Sequence, residues 1–444
     1  MELGLVSARL REMTHDHSVP GAQLTVCHAG STLSAVSGVT RVGMTDPVTA
    51  ETAFAFGSVT KVFTATLVAQ LVSEGDLEWD DPVDEYVAEF DGAMDEAFSS
   101  VTLRNLLSHT AGLVADHELE DFDEASLARY AAGIASTRIL HEPGHCFSYS
   151  NSGYNVLGRV IEAVTGMKWQ AVLENRLLRP LGIDPVFVHG PLGQRALADG
   201  HAVRPGDRRT ARPVGLFLPR SWAPASGLAG SADDLVALAT LHLGSHPDSG
   251  ALLPAKQRTE MAARTPGADA FGMADGWGLG LAHYASPDGP WLGHDGTVDG
   301  GTAHVRWQPA GDTAVALTTN ATTGTLMWSD LVGTLRELGL PVGDYHPGAP
   351  GTPALTSALE GFTGDYRNGD TAFSVRLHRE DTLRLTDATG LTADLALHDD
   401  LGFTARRTDT DTAPYTGRFV TDPATGDVTL MQLGGRSARR TTTL

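Results

Sequence analysis

Ser58-Val59-Thr60-Lys61-Val62-Phe63-Thr64-Ala65-Thr66-Leu67-Val68-Ala69-Gln70-Leu71-Val72-Ser73-Glu74-Gly75 is the stretch on which the reading of this chain turns. Its apolar residues fall on every side of a helix rather than on one stripe. Such a helix is buried at the centre of a domain. Gly75 supplies a natural stop, because glycine accepts the left-handed conformation that ends helices. Residues three apart on a helix are neighbours, so the Lys61 amine reaches the Ser58 hydroxyl. An amine in apolar surroundings loses its proton readily and serves as a base at neutral pH. That is what a serine hydroxyl needs to become a nucleophile. A lysine snorkelling from a helix end would explain the same four residues, but a charge at the mouth of a wholly apolar helix is costly without a task.

Lysine is scarce elsewhere. Of 32 basic residues, only Lys61, Lys168 and Lys256 are lysines, so any lysine used for proton transfer is one of three. The 444 residues carry 54 acids, giving a net charge of −22. An acidic chain lacks the basic surface that nucleic acid and anionic membranes require. A 41% apolar and 19% charged composition is that of a globular protein of two to three domains. No apolar run is long enough to span a membrane. The first residues, Met1 to Arg11, lack the apolar stretch of a secretory signal, so a cytoplasmic location is expected. Cys27 and Cys146 read as two reduced thiols.

Along the chain, a helix is expected up to Val19-Pro20-Gly21. A hairpin follows over Ala22–Cys27 and Ser31–Gly38, turning at Ala29-Gly30. Helical patterns return near 102–108, 125–136, 152–165, 168–176, 232–244 and 328–338. Strands follow at Thr302–Trp307 and Thr313–Thr319. Strands at both ends with helices between predict a sheet flanked by helices. A run of prolines and glycines from Pro341 to Pro353 marks a boundary. Beyond it, short alternating runs such as Phe373/Val375/Leu377 and Leu383/Leu385 predict a small antiparallel barrel or sandwich.

Two further elements carry chemistry. Tyr149-Ser150-Asn151 sits between a Pro143-Gly144 turn and an apolar helix ending at Gly166. A phenol beside an ammonium gives up its proton more easily and becomes a second base. Asn151 offers both donor and acceptor to an amide-like substrate. Tyr366-Arg367-Asn368 has the same pattern but lies in the C-terminal module, outside a helix–turn context. His294-Asp295-Gly296-Thr297 precedes the strand at Thr302–Trp307, and its glycine lets a ligand approach the backbone closely.

Ser-x-x-Lys, then Tyr-x-Asn about 90 residues on, then His-x-Gly, in that order, resemble the serine β-lactamase and penicillin-binding-protein superfamily. The middle element is similar to that of the class C β-lactamase branch. His294 stands where Lys is usual. The connecting segments Leu77–Val83, Leu103–Leu113 and Leu178–Ile183 are similar too. The resemblance covers roughly residues 1–340. It implies an α/β (α+β) fold: a mixed or antiparallel sheet flanked by helices, an all-α cluster and, here, an added lipocalin-like β-barrel. The expected organisation is a catalytic domain over 1–345, a linker over 346–357 and a β-module over 358–444. Within the superfamily, His294-Asp295-Gly296-Thr297, Trp222-Ala223-Pro224-Ala225-Ser226-Gly227 and the C-terminal module look like penicillin-binding-protein-type thioesterases of non-ribosomal peptide pathways.

The resemblance implies residue roles. Ser58 attacks the acyl donor, and Lys61 takes its proton, aided by Tyr149. Asn151 holds the substrate amide. Backbone N–H groups of Ser58 and Thr297 stabilise the oxyanion, and His294 tunes the nearby protons. Exchange of Lys for His removes a permanent cation and with it a holder for a free carboxylate. Asp295 is a candidate to attract a peptide's amino terminus. Gly227 is a candidate for the substrate pocket. The basic tail Arg436–Arg440, Arg439 above all, is a candidate to reach substrate or carrier. The leading expectation is release of a carrier-bound peptidyl thioester by head-to-tail cyclisation, with no metal and no cofactor. A cytoplasmic esterase or D-amino-acid amidase is the enzyme alternative, and an acylated, non-catalytic sensor the alternative outside catalysis.

Overall fold

The computed structural model describes residues 3–119, 125–189, 195–204, 207–348, 351–352, 359–379, 382–410 and 413–441. The chain begins with α1 (Leu3–Asp16), the hairpin β1 (Gly21–His28) and β2 (Ser31–Gly38), and the short β3 (Phe54–Ala55). Then comes a helical block: α2 (Thr60–Glu74), α3 (Leu103–Leu107), α4 (Leu127–Ala135), α5 (Asn151–Thr165) and α6 (Trp169–Leu173). Next are β4 (Val186–Phe187), β5 (Gly200–Arg204), β6 (Asp207–Val214), α7 (Ala223–Ser226), β7 (Leu228–Gly230), α8 (Ala232–Leu243), α9 (Ser249–Leu252) and α10 (Ala255–Ala262). The catalytic unit closes with β8 (Gly276–Trp277), β9 (Ala282–Tyr284), β10 (Trp291–Val298), β11 (Gly301–Gln308), β12 (Thr313–Thr319) and α11 (Gly324–Glu337).

Seven strands form one antiparallel sheet in the order β2-β1-β12-β11-β10-β9-β8. The start and the end of the catalytic unit thus meet inside the sheet, where β1 pairs with β12. One face carries Leu24, Val26, Val315 and Leu317 against Val6 and Leu10 of α1 and Trp328 and Leu331 of α11. The other carries Leu292, Val305 and Ala316 against α2 and α8. His294-Asp295-Gly296-Thr297 lies within β10. The two glycines are tolerated because neighbouring backbone comes close: a Cβ at Gly296 would lie 1.9 Å from the Phe56 carbonyl.

α2 is the buried central helix that its composition demands. Every residue from Thr60 to Leu71 is buried, and Gly75 ends it at φ +83°. Ser58 precedes the helix in a tight 3₁₀ turn over Gly57–Val59. α5 starts at Asn151, capped by the Ser150 hydroxyl on the Gly153 N–H at 3.0 Å. Tyr149-Ser150-Asn151 therefore straddles a helix start, which brings the Tyr149 and Asn151 side chains to Lys61 of α2.

The eight strands β13 (Gly364–Asn368), β14 (Thr371–Arg379), β15 (Thr382–Asp387), β16 (Thr392–Leu397), β17 (Gly402–Arg407), β18 (Tyr415–Thr421), β19 (Val428–Leu433) and β20 (Arg436–Thr441) close into a barrel in sequence order. Val375, Leu383, Leu395, Phe403, Phe419 and Met431 fill its interior. Tyr366-Arg367-Asn368 belongs to β13, with Tyr366 in that core. Asn368 instead bridges to the catalytic unit, its Oδ1 accepting from Ala115 N at 2.7 Å. Part of the stretch read as a linker lies outside the described residues.

Candidate active site

Lys61 is fully buried. Its Nζ lies 3.1 Å from Ser58 Oγ, 2.6 Å from Asn151 Oδ1 and 3.0 Å from the Ala225 carbonyl. Burial pushes its pKa well below the usual lysine value, and Arg436 adds to the shift, while Asp116 opposes it. A neutral amine has two protons and one lone pair. The two carbonyl oxygens can only accept, so they take the protons. The lone pair is left facing the Ser58 hydroxyl, which is the geometry of a base about to receive its proton.

Asn151 is held from both ends. Its Nδ2 donates to Asp116 Oδ1 at 2.6 Å, and Asp116 Oδ2 pairs with Arg436 Nη1 at 2.9 Å. Arg436 comes from β20 of the barrel, so the β19–β20 hairpin reaches into the catalytic surroundings. The same hairpin accepts the Tyr149 N–H at the Gly435 carbonyl, 2.9 Å away. Gln432 Nε2 donates to the Phe147 carbonyl at 2.8 Å, and Ser437 N to Ser148 Oγ at 3.1 Å.

Tyr149 packs beside Lys61, whose Nζ is 4.9 Å from the ring centre. Its hydroxyl is buried without a hydrogen-bond partner among the described residues. Burial raises its pKa, and the nearby Ser58 hydroxyl only partly offsets this. The expectation that a neighbouring ammonium would ease its ionisation is thus corrected: desolvation dominates, and Tyr149 is a protonated phenol at rest. His294 is buried and 6.1 Å, ring to ring, from Tyr149. Burial first, and then Lys61, lower its pKa to about 3, so it is neutral. Its Nδ1–H donates to the Asp295 carbonyl at 2.6 Å, leaving Nε2 an acceptor with no partner among the described residues.

The backbone of β10 runs against the nucleophile turn. Gly57 has φ +51°, and a Cβ there would lie 2.6 Å from the Thr297 oxygen and 3.1 Å from its nitrogen. A Cβ at Gly296 would be 3.1 Å from the Ser58 nitrogen. The backbones at Ser58 and Thr297 are thus close neighbours, with no room for a side chain at Gly57 or Gly296 between them.

Three expected site residues stand elsewhere. Asp295 points to the face opposite His294, since neighbours in a strand alternate. Its carboxylate takes both Nη atoms of buried Arg306 at 2.9 Å and His304 Nδ1 at 2.7 Å. Arg306 also holds Asp344 at 2.9 Å and lies 3.4 Å from the Tyr284 ring centre. Asp295 is a member of this ion network rather than a free anion beside Ser58. Arg439 is exposed and donates to the Ile139 carbonyl at 3.1 Å. The strand register carries Arg436 to the site in its stead. Gly227 caps α7, its N–H on the Ala223 carbonyl, two residues beyond the Ala225 carbonyl that holds Lys61. His109 and Asp116 have no role assigned from sequence, and Arg436 enters only as the first residue of the basic tail Arg436–Arg440. His109 lies in the segment Leu103–Leu113, and its buried ring sits 4.3 Å from that of Tyr149.

Fold and site together define an enzyme of serine acyl-enzyme chemistry. Residues 6–330 match the model of the beta-lactamase family, and the chain belongs to that family. It is 36% identical over 339 residues to penicillin-binding protein 4 of Amycolatopsis lactamdurans, covering 74% of this chain and 87% of that protein. The crystal structure of SurE is 41% identical, with a TM-score of 0.90 over 99% of both chains, barrel included. A class C β-lactamase from Rhodobacter sphaeroides, at 21% identity and TM-score 0.61 over 74% of this chain and 98% of its own, shares the fold.

Proposed function

We propose that the protein releases a peptidyl thioester by head-to-tail cyclisation. The observation that carries the chemistry is the buried Lys61 amine, held by the Asn151 and Ala225 carbonyl oxygens with its Nζ 3.1 Å from Ser58 Oγ. Ser58 Oγ attacks the thioester carbonyl while its proton passes to Lys61. The C–S bond breaks, and the leaving sulfur receives that proton by way of the Tyr149 hydroxyl. The peptide's own amine then attacks the Ser58 ester. An amide bond forms, the ester C–O bond breaks, and the amine's proton returns through Tyr149 and Lys61 to Ser58 Oγ. No water is added. Neutral His294 favours a substrate that presents no free carboxylate at this position.

The likeness to SurE along the whole chain supports a substrate class shared with that protein. SurE has also been solved with D-Leu, which fits a site that takes D-residues. A carrier protein of a peptide synthetase is the proposed donor of the thioester, and the cytoplasm the proposed place. A synthetic linear peptide thioester, incubated with the protein and weighed by mass spectrometry, tests the proposal. A product that has lost the thiol without gaining water is expected. A product heavier by one water would make the protein a hydrolase, and a lasting acyl-enzyme would make it a sensor.

A further inference from the structure

His109 follows α3 with a left-handed backbone, φ +59°, a conformation uncommon for any residue but glycine. That conformation turns two of its acceptors onto one short segment. Its carbonyl accepts the Ser148 N–H at 2.8 Å, and its ring Nδ1 accepts the Ser150 N–H at 3.1 Å. The residue between them is Tyr149. Its ring lies 4.3 Å from the imidazole, tilted by 36°. Tyr154, Trp277 and Phe147 close the rest of the cage at 5.1, 5.1 and 5.6 Å.

The hydrogen bond fixes the tautomer. A backbone N–H only donates, so Nδ1 carries a lone pair and the ring proton sits on Nε2. Nε2 is buried with no partner among the described residues. A residue serving only to fill this cage would be better as phenylalanine, which buries no unpaired N–H. What imidazole adds is the acceptor toward Ser150. A second ring proton would set N–H against N–H and break that bond. Burial would oppose that charge, the guanidinium of Arg436 of β20 would repel it, and so would Lys61 of α2 and His294 of β10 whenever they hold a proton. The phenols of Tyr149 and Tyr154 face it as well.

We propose that His109 is a positioning residue for Tyr149, an Nε2–H imidazole that clamps the peptide on both sides of the tyrosine and stacks on its ring. The proposal rests on the reading that Tyr149 moves protons for Ser58. It separates two duties, acceptor and ring, that two variants can split. His109→Asn tolerates the left-handed backbone and sets an oxygen near the Nδ1 position. His109→Phe keeps the ring and loses the acceptor.

The test combines a chromogenic thioester assay with two-bond ¹H–¹⁵N correlation spectra of the ¹⁵N-histidine-labelled protein, the His109 signal being assigned by its loss in His109→Asn. The spectrum is expected to show a protonated Nε2 and a bare Nδ1 throughout about pH 5–8. In His109→Phe, kcat is expected to fall about 10- to 100-fold with KM within about threefold, whereas His109→Asn keeps kcat within about fivefold. A proton on Nδ1, or a His109→Phe protein as fast as wild type, would overturn the clamp. If wild type fails to turn over the thioester, the acyl-enzyme reading falls instead, and the tautomer spectrum still decides the clamp.

Discussion

Arg436 on the last barrel strand pairs with Asp116 of the catalytic unit at 2.9 Å, two hydrogen-bonding steps from the amine of Lys61. Both side chains are partly exposed, 41% and 31%, so the pair adds at most about 1 kcal/mol to stability. Its effect is on orientation. Asp116 accepts from Asn151 Nδ2 and so keeps Oδ1 toward Lys61. An amide turned over would set donor against donor. Asp116→Ala is expected to slow Ser58 acylation about 10- to 100-fold while the melting temperature moves by only about 2–4 °C. Arg436→Ala should slow it less, about threefold to tenfold. Burst kinetics beside calorimetry checks both, and equal losses of rate and stability would contradict the argument.

Lys61 gives stability a pH dependence of known sign. Its folded pKa is lowered by burial, whereas the unfolded chain binds the proton up to about pH 10.4. Between the two values the unfolded state holds more protons, so stability rises with pH. Lys61→Met removes this coupling. Urea denaturation from about pH 7 to about pH 9 should show wild type gaining on the variant by up to about 1.4 kcal/mol per unit. Parallel curves would mean that the amine is charged in the fold. Wild-type acylation should fade toward acid below the pH at which this slope disappears, where folded Lys61 takes up its proton.

Gly57 is the hinge between nucleophile and β10. Any side chain there is strained at φ +51° and meets the Thr297 carbonyl. Gly57→Ala should cost about 1–3 kcal/mol and lower the acylation rate about 100-fold, the cost of one misplaced oxyanion donor. The labelling rate with a serine-directed acylating probe measures the second effect. Rapid labelling of a folded Gly57→Ala protein would remove Thr297 from the oxyanion hole.

The Arg306 network makes the opposite prediction, stability without chemistry. Arg306 is fully buried between Asp295 and Asp344. Arg306→Met leaves both carboxylates without their cation and should destabilise by about 3–5 kcal/mol. Near 20 °C the residual folded protein should acylate within about threefold of wild type. Asp295→Asn should likewise keep the acylation and release rates, and a collapse of release in that variant would give Asp295 to the substrate's amine.

The parts of the site legible in sequence are those fixed by local geometry. Ser58 and Lys61 are one helical turn apart, and Tyr149-Ser150-Asn151 announces itself as a helix cap followed by an apolar helix. Gly75 and Gly166 mark where both helices end. What escaped depends on register and on contacts distant along the chain. The alternation within β10 that sends His294 and Asp295 to opposite faces depends on which face of the strand meets α2, and that is set by its pairing with β11. The turn at Gly434-Gly435 decides that Arg436 rather than Arg439 meets Asp116, 320 positions away in sequence. The Tyr149 proton was misjudged because a sequence shows the neighbouring lysine but not the depth of the pocket.

The burial of Lys61 also divides the amines of this protein by reactivity. Lys168 and Lys256 leave 72% and 76% of their side chains open, whereas Lys61 leaves none. Acylating dyes and activated resins therefore meet two side-chain amines on the outside and never the one that matters. The protein can be tethered through lysine at two defined places with its nucleophile intact, a selectivity that ordinary lysine-rich enzymes lack.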